Sequence, residues 1–443
     1  MGVEGWTLTR LGDLVEIKHG WPFKSEFYNE ELTGRPIVVG VGNFRYTGGF
    51  RFAETQFKEY RGDYPKEFEL EPRDTLLIMT CQTPGGEILG IPARVPEDGR
   101  VYLHNQRLGR VVVRDSTRVD SSYLYWLFLS PAFNRELVIS ASGTKILHTS
   151  PARIEGFTFG LPPVHEQRAI AHVLGTLDDK IELNRRMNQT LEEMARAIFK
   201  SWFVDFEPVR AKMERRETGL PPEVEALFPD RFVESEIGEV PGGWGVAPLS
   251  SFIHILSGGT PKRSDPSYWN GEIPWFSVRD TPADSDVFVL WTEEGITQAG
   301  VDNSAAQVLP VGTTIITARG TVGKLALVGV PMAMNQSCFG VRGTDCSDVF
   351  TYYVLRQAIR VLKQNTHGSV FSTITRATFD SVKVVVPPPE PMRAFAKAAD
   401  RLFARIRANC EQGYTLAALR DALLPKLISG EVRVPSKVAV RTT

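Results

Sequence analysis

The sequence predicts an α+β protein with two tandem α/β globular units, each followed by a long helix. The two helices are expected to form an antiparallel coiled coil with pseudo-twofold symmetry. Three observations predict this: the chain repeats itself, each copy ends in a Pro-Pro turn before a helical stretch, and both stretches carry an apolar seam. The predicted segments are a globular unit at 1–163, a helix at 164–206, a connector at 207–242, a globular unit at 243–388, a helix at 389–432 and a tail at 433–443. The connector is expected to contain one short helix at residues 223–228.

The internal repeat consists of identical residues at a constant spacing of 238. The matched positions are Gly5-Trp6 with Gly243-Trp244, Leu11 with Leu249, Gly20 with Gly258, Lys24 with Lys262, and Pro36 with Pro274. The same spacing carries Leu77-Ile78 onto Ile315-Ile316, which predicts a buried strand in each copy. The spacing is 230 at Asn105-Gln106 and 225 from Gly143 onward, as expected if loops of the second copy are shorter.

The two helical stretches carry seam residues at alternating three- and four-residue steps, which is typical of a coiled coil. The predicted seam comprises Leu177, Ile181, Asn184, Asn188, Leu191, Leu402, Ile406, Asn409, Leu416 and Leu423. In the antiparallel register where Ile170 opposes Leu427, Asn188 opposes Asn409 and Asn184 opposes Gly413. Gly413 and Arg420 interrupt the seam of the second helix. Either this buried pair fixes the register, or each Asn lies in a hydrated seam, and the sequence leaves both interpretations open. Pro425 is expected to kink the last turn of the second helix.

The composition is typical of a globular protein, with 42% hydrophobic and 23% charged residues. Lys and Arg number 51 against 52 Asp and Glu, so no global basic excess indicates a polyanionic partner. The charges separate by segment: residues 161–242 hold 11 basic and 16 acidic side chains, and residues 389–443 hold 10 and 5. This opposite bias favours pairing of the two helical regions. Both globular units are nearly neutral, so phosphate attraction is expected to come largely from partners.

Catalytic and metal-binding patterns are not found in the sequence. It has no phosphate-binding loop, dinucleotide fingerprint, nucleophile elbow or paired zinc-binding histidines. The four cysteines lack C-x-x-C spacing, so neither a zinc site nor a disulfide framework is predicted. No apolar run is long enough for a membrane helix and the start does not resemble a signal peptide, which favours a cytoplasmic location.

Several local sequence runs carry a resemblance to a known family. They are Pro162-Pro163-Val164-His165-Glu166-Gln167 at the start of the first helix, Ile198 to Phe206 at its end, Leu227-Phe228-Pro229-Asp230 in the connector, and Leu423 to Val432 at the end of the second helix. Together with the duplicated layout they resemble the DNA-specificity subunit of type I restriction-modification enzymes. The second copy departs from the pattern, since Pro391-Met392 stands where Glu-Gln would be expected.

The resemblance implies a non-catalytic DNA-binding subunit. Each globular unit would be a target recognition domain for one half of a bipartite site in double-stranded DNA. The helices would set the half-site spacing and dock the modification (methyltransferase) subunits, with restriction (motor-nuclease) subunits completing the complex. S-adenosylmethionine, ATP and Mg²⁺ would bind to those partners and not to this chain.

Candidate DNA contacts are loops that combine a glycine, a basic residue and small polar groups, because such loops allow close backbone approach to phosphates and bases. The candidate residues are Lys24, Gln82, Arg107, Thr144, Lys145, Thr260, Lys262, Arg263, Arg279, Arg319, His367 and Ser369. The repeated Asn105-Gln106 and Asn335-Gln336 pairs are expected to satisfy backbone groups instead, since residues that recognise different half-sites should differ between copies.

Two other functional classes compete with this interpretation. The chain could be a two-armed protein-protein scaffold whose helices join two protein-binding units. A nuclease fused to a recognition module is less favoured, because it needs an acidic metal-binding cluster that the sequence lacks.

Overall fold

The structure is a computed structural model that describes residues 3–29, 33–51, 57–83, 85–283, 286–344, 346–365 and 373–434. It divides into two compact units. Unit 1 comprises residues 1–179 and 416–443, and unit 2 comprises residues 180–415. Both long helices therefore contribute one part to each unit. Within the described ranges, no helix is both long enough and apolar enough to cross a membrane.

Unit 1 begins with short strands and ends with helices. Its strands are β1 (Thr7–Arg10), β2 (Val15–His19), β3 (Tyr28–Asn29), β4 (Ile37–Val39), β5 (Glu59–Tyr60), β6 (Glu69–Leu70), β7 (Thr75–Ile78), β8 (Thr80–Cys81), β9 (Pro92–Arg94), β10 (Tyr102–His104), β11 (Leu108–Val113), β12 (Leu147–His148) and β13 (Thr158–Leu161). Its helices are α1 (Ser121–Phe128), α2 (Pro131–Ser140), α3 (Pro151–Glu155) and the first part of α4 (Val164–Phe203).

Unit 2 repeats this plan after a connector. Its helices besides α4 are α5 (Glu207–Met213), α6 (Pro222–Glu225), α7 (Gln298–Asp302), α8 (Asp348–Asn365), α9 (Arg376–Ser381) and the first part of α10 (Pro389–Ser429). Its strands are β14 (Phe232–Ser235), β15 (Gly238–Pro241), β16 (Gly245–Pro248), β17 (Ile253–Ser257), β18 (Trp269–Phe276), β19 (Phe288–Val289), β20 (Gly295–Ile296), β21 (Thr314–Thr317), β22 (Leu325–Val328), β23 (Ala333–Met334), β24 (Cys338–Gly343) and β25 (Lys383–Val386).

The main sheets of the two units share their strand order and register. The order is β2-β11-β7-β9 in unit 1 and β17-β24-β21-β22-β19 in unit 2. His19 pairs with Gly109 and Ser257 pairs with Phe339, as the repeat spacings of 238 and 230 require. Each copy of the repeat also contains a two-stranded antiparallel ribbon, β1-β13 in the first copy and β16-β25 in the second. It brings the first strand of the copy beside the strand that precedes the long helix. The structure therefore confirms two tandem α/β units.

The predicted match of Leu77-Ile78 with Ile315-Ile316 in the buried central strands is wrong by one residue. Leu77 pairs with Gly109, and Ile316 pairs with Phe339, so Ile316 rather than Ile315 is the structural equivalent of Leu77. These strands lie inside each unit with almost every residue buried, and a strand buried on both faces has no polar-apolar alternation to fix its register.

In unit 1 the two helices meet through an apolar core and one buried cation. Ile170 and Leu427 belong to the same hydrophobic cluster. Arg420, one of the interruptions of the predicted seam, is only 8% exposed and donates to the Asp178 carboxylate at 2.5 Å. Helix α10 continues through Pro425 to Ser429, so this proline does not end the helix.

In unit 2 the asparagines of the seam contact one another across the helix pair. Asn409 donates from its amide to Asn188 Oδ1 at 2.9 Å, and both residues are buried. Asn184 donates to Gln412 Oε1 at 2.9 Å, one position from the predicted partner Gly413. Direct contact favours the interpretation that the Asn pair fixes the antiparallel register, rather than a hydrated seam.

The remaining seam positions vary in burial. Ile181 and Ile406 are buried, whereas Leu177, Leu191, Leu402, Leu416 and Leu423 are half-buried. Leu402 was predicted as a seam residue, but the adjacent Phe403 is the more deeply buried of the two, with 2% of its surface exposed. Packing against the globular unit widens the buried face of α10 beyond a two-residue seam.

The connector contains more structure than the single short helix expected near residues 223–228. It holds α5, α6 and the antiparallel hairpin β14-β15. Helix α4 ends at Phe203, three residues before the predicted boundary, because Phe206 adopts a left-handed conformation with φ of 55°. The second long helix likewise ends at Ser429 rather than at residue 432.

The Asn188–Asn409 hydrogen bond leads to a stability prediction. Replacing Asn188 alone with Leu leaves the Asn409 amide buried without its partner and should lower the free energy of unfolding by about 1–3 kcal/mol. The double variant Asn188→Leu/Asn409→Leu removes both polar groups and should recover most of that loss. Chemical denaturation of the two single variants and the double variant measures the coupling, and additive losses would contradict the direct contact.

Candidate nucleic-acid interface

In unit 1, loops from distant parts of the sequence meet at one end of the main sheet. Strands β2 and β7 end there and β11 begins there, because antiparallel neighbours exchange their ends. Met79 N donates to Arg107 O at 2.9 Å, and Thr149 N donates to Met79 O at 3.0 Å. Trp21 N donates to His104 O at 2.8 Å. We call residues 20–24, 79–83, 105–107 and 142–149 together edge 1.

Unit 2 builds the same arrangement from the corresponding residues. Ala318 N donates to Ser337 O at 2.8 Å, Ile374 N donates to Ala318 O at 3.0 Å, and Gly259 N donates to Met334 O at 3.0 Å. We call residues 258–263, 318–321, 335–337 and 373–375 edge 2. The main-chain hydrogen bonds of edge 1 thus recur in edge 2.

A glycine at each edge permits the close approach of two backbone segments. A Cβ on Gly20 would lie 2.2 Å from the Asn105 carbonyl oxygen, and one on Gly258 would lie 2.0 Å from the Asn335 carbonyl oxygen. No side chain tolerates such a contact. This explains why both glycines recur at the repeat spacing.

The repeated asparagines satisfy backbone groups, as the sequence analysis expected. Asn105 Oδ1 accepts from Arg107 N at 2.9 Å, and Asn335 Oδ1 accepts from Ser337 N at 3.0 Å. Each closes the turn that precedes β11 or β24. The adjacent Gln106 and Gln336 side chains are exposed.

All five candidate DNA contacts of unit 1 lie on edge 1 with exposed side chains: Lys24, Gln82, Arg107, Thr144 and Lys145. Pairing of Leu147 with Cys81 brings the 142–146 loop alongside the segment that contains Gln82. Gly143 adopts a φ of 104° in this loop, a conformation that favours glycine. Edge 1 therefore presents three cations and two polar side chains.

On edge 2 the candidates differ in availability. Lys262 and Arg319 are exposed, whereas Thr260 donates to the Gln336 side chain. Arg263 lies 3.8 Å above the Trp269 ring centroid and forms a two-point ion pair with Glu294, so its charge already has a partner. Trp269 and Trp275 also donate their indole N–H groups to carbonyls of this loop. Arg263 therefore stabilises the loop that presents Lys262.

Three candidates do not belong to the described part of edge 2. Arg279 lies after β18 in a short turn, with Glu293 at 3.9 Å. His367 and Ser369 lie outside the described residues.

Two arginines near the edges were not predicted from the sequence. Arg153 donates to Ser142 Oγ at 3.2 Å, and Arg376 donates to Ser257 Oγ at 3.2 Å. Arg153 lies three residues after the N-cap Ser150 of α3, and Arg376 directly follows the N-cap Thr375 of α9. The duplicated Ser150 and Thr375 caps, at the spacing of 225, are the sequence signal that could have located them.

Buried aromatic and histidine side chains support edge 1. Phe23 packs edge-on against Tyr60 with ring centroids 4.8 Å apart. Burial lowers the pKa of His104 to about 4, so the imidazole is neutral at pH 7 and donates to the Leu108 carbonyl at 2.9 Å. Burial and the nearby Tyr60 raise the pKa of the Tyr28 phenol. In the described ranges, no group of three or more His, Cys, Asp or Glu side chains is arranged to hold a metal ion.

Comparison with known families matches both halves of the repeat. The model for "Type I restriction modification DNA specificity domain" matches residues 3–193 and 241–410. The chain belongs to this family. The two matched segments contain edge 1 and edge 2 respectively, and they leave out most of the connector.

Relatives and a solved structure agree with the family assignment. The chain is 29% identical over 401 residues to the type I restriction enzyme HindI specificity subunit of Haemophilus influenzae, a match covering 78% of this chain and 86% of that protein. It is 25% identical to the MjaIX specificity subunit of Methanocaldococcus jannaschii, covering 97% and 94%. The crystal structure of the type I S subunit from M. genitalium superposes with a TM-score of 0.53 at 16% identity, covering 96% of each chain, and shows the shared fold.

The repeated glycines provide a test of the edges in this family member. Gly20→Ala and Gly258→Ala should each force two backbone segments apart and lower the free energy of unfolding by about 1–3 kcal/mol. Gly40→Ala is the matched control, because its Cβ would meet only Asn43 Oδ1 at 3.8 Å, and it should shift stability by less than about 0.5 kcal/mol. Thermal unfolding of all three variants measures this, and equal stabilities would contradict the described close approach.

Proposed function

We propose that this chain is the DNA sequence-specificity subunit of a type I restriction-modification complex, with edge 1 and edge 2 each recognising one half of a bipartite target in double-stranded DNA. The observation that carries the proposal is one backbone arrangement bearing two sets of side chains. Arg107 stands on edge 1 where edge 2 has Ser337, and Thr80 stands where edge 2 has Arg319. A shared frame with different exposed groups is what two different half-sites require.

Lys24 and Lys262 do not diverge between the edges, and they fit a different role. Both edges keep an exposed lysine at the same place after the glycine. A lysine is a compact charge that suits a phosphate group, which is present at every DNA sequence. We assign these two residues to backbone contacts and the divergent positions to base contacts.

The helices and partners complete the proposal. The α4–α10 pair would fix the distance between the half-sites and dock the modification subunits, to which restriction subunits would be added. Methyl transfer and DNA cleavage would be performed by those partners with S-adenosylmethionine, ATP and Mg²⁺, and this chain would supply recognition. The family assignment does not favour the two-armed protein scaffold, which would give no reason for a DNA specificity domain in each half.

Half-site specificity can be tested by exchanging an edge residue for its counterpart. Arg107→Ser, with the partner modification subunit present, should change base preference in one half-site by roughly 1–3 kcal/mol and leave the other half-site unchanged. Lys24→Ala should weaken binding to all duplexes about equally. Fluorescence anisotropy with duplexes mutated in either half measures both effects. Absence of site-specific binding by the wild-type complex would refute the proposed function.

Spacer length can be tested by deletions that keep the helix register. Removing residues 181–187 and 410–416 takes one heptad from each helix and keeps Asn188 opposite Asn409. At ~1.5 Å per residue the helices shorten by about 10 Å, or roughly three base pairs. Binding to duplexes with gaps of different length should move to a shorter gap. An unchanged preferred gap would contradict the spacer role, and removing only one of the two segments serves as an out-of-register control.

A further inference from the structure

A cationic groove of about 440 Å³ lies within unit 2, between α4, α8 and the turn before β22. Its floor is formed by buried aromatic and aliphatic side chains, including Tyr352 and Tyr353. Its rim is formed by cations from three separate segments. They are Arg196, Lys200, Lys324, Arg356 and Arg360.

Acidic side chains offset this charge only in part. Arg356 Nη1 lies 2.7 Å from Glu192 Oε1, and Arg196 Nε lies 3.8 Å from the other oxygen of the same carboxylate. Two arginines thus share one buried anion, and Lys200 forms an ion pair with Asp205. Among the described residues, the exposed Arg360 forms no ion pair or hydrogen bond. The groove therefore keeps an excess of positive charge.

One turn carries residues of both the groove and edge 2. Lys324 N donates to Thr317 Oγ1 at 2.9 Å and Gly323 N donates to Thr317 O at 2.8 Å, so Arg319 and Lys324 lie on one closed turn. On the other side of the groove, α8 ends at Asn365, and the chain is again bonded to edge 2 at Ile374. Arg360 lies five residues, or about 8 Å, before that helix end.

We propose that this groove binds phosphates of the DNA backbone beyond the bases contacted by edge 2. The inference rests on the proposed function, because it extends the DNA path of that edge. Along one strand of B-DNA, phosphates recur about every 3.4 Å of helix axis, so a strand that leaves edge 2 would present a series of phosphates to the cations of the rim. Arginine and lysine side chains at the rim match such a series of anions.

The two cations that α4 contributes to the rim are not repeated in unit 1. At the spacing of 225, Arg196 corresponds to Asp421 and Lys200 corresponds to Pro425. The helix positions that line the groove in unit 2 therefore carry an anion and an uncharged residue in unit 1. We expect contacts to backbone phosphates beyond the recognised bases to be stronger at the half-site bound by unit 2.

The test compares the salt dependence of DNA binding between two double variants. Arg196→Ala/Arg360→Ala removes two rim charges, and the control Arg118→Ala/Arg231→Ala removes two exposed arginines that lie outside both edges, the groove and the long helices and form no ion pair among the described residues. Each full-length chain is assembled with its modification subunit. Binding to a duplex with the cognate site is then measured by anisotropy from about 50 to 200 mM salt, the range over which phosphate contacts dominate the change.

The groove variant should lower the slope of log K against log salt by about two, since each lost phosphate contact contributes about 0.9. Its affinity should fall roughly 10- to 100-fold, with the preference for the cognate sequence unchanged. The control should keep the wild-type slope. The thermal unfolding midpoint of each double variant is compared with that of the wild type, and equal midpoints show that both variants are folded.

Other outcomes overturn the inference in distinguishable ways. A wild-type slope for the groove variant, with site-specific binding intact, refutes the phosphate groove but not the proposed function. If the groove variant keeps the wild-type slope but no longer assembles with the modification subunit, the groove binds an acidic protein segment instead of DNA phosphates. Absence of site-specific binding by the wild-type complex refutes both proposals.

Discussion

The main-chain hydrogen bonds at the end of each main sheet are the constraint on which the functional surface depends. In unit 1 they run from Thr149 to Met79 and from Met79 to Arg107, and in unit 2 from Ile374 to Ala318 and from Ala318 to Ser337. Because these bonds use only backbone groups, the side chains of the loops can change without moving the loops. One frame can therefore carry two recognition surfaces.

Polar contacts between the long helices complement the apolar core. Aliphatic packing alone allows the helices to slide by a heptad, whereas a buried Asn pair or ion pair is satisfied in one register. Unit 2 uses the Asn188–Asn409 hydrogen bond, and unit 1 uses the Asp178–Arg420 ion pair. The Asn188–Asn409 contact lies in the register predicted from the sequence and the Asp178–Arg420 contact lies within one residue of it, so each unit carries its own polar determinant of the pairing.

The sequence predicted the features that depend on local spacing and missed those that depend on distant neighbours. Identical residues at fixed spacing located Gly20, Gly258 and the loops that form both edges. Arg263 was predicted as a DNA contact, but it packs on Trp269 of β18 and pairs with Glu294, and no local sequence pattern connects these partners to it. The cationic groove was missed for the same reason. Its charges come from three separate segments, and a net charge counted along the sequence does not show that they lie together.

The central claim is that two similar frames recognise two different half-sites. A genome-wide map of modified bases in cells that express this chain with its partner subunits tests it most directly. The account predicts one bipartite motif with two different specified halves separated by unspecified bases. The centres of the two halves should lie roughly one helical turn apart. A continuous motif, or a palindrome with two identical halves, would contradict it.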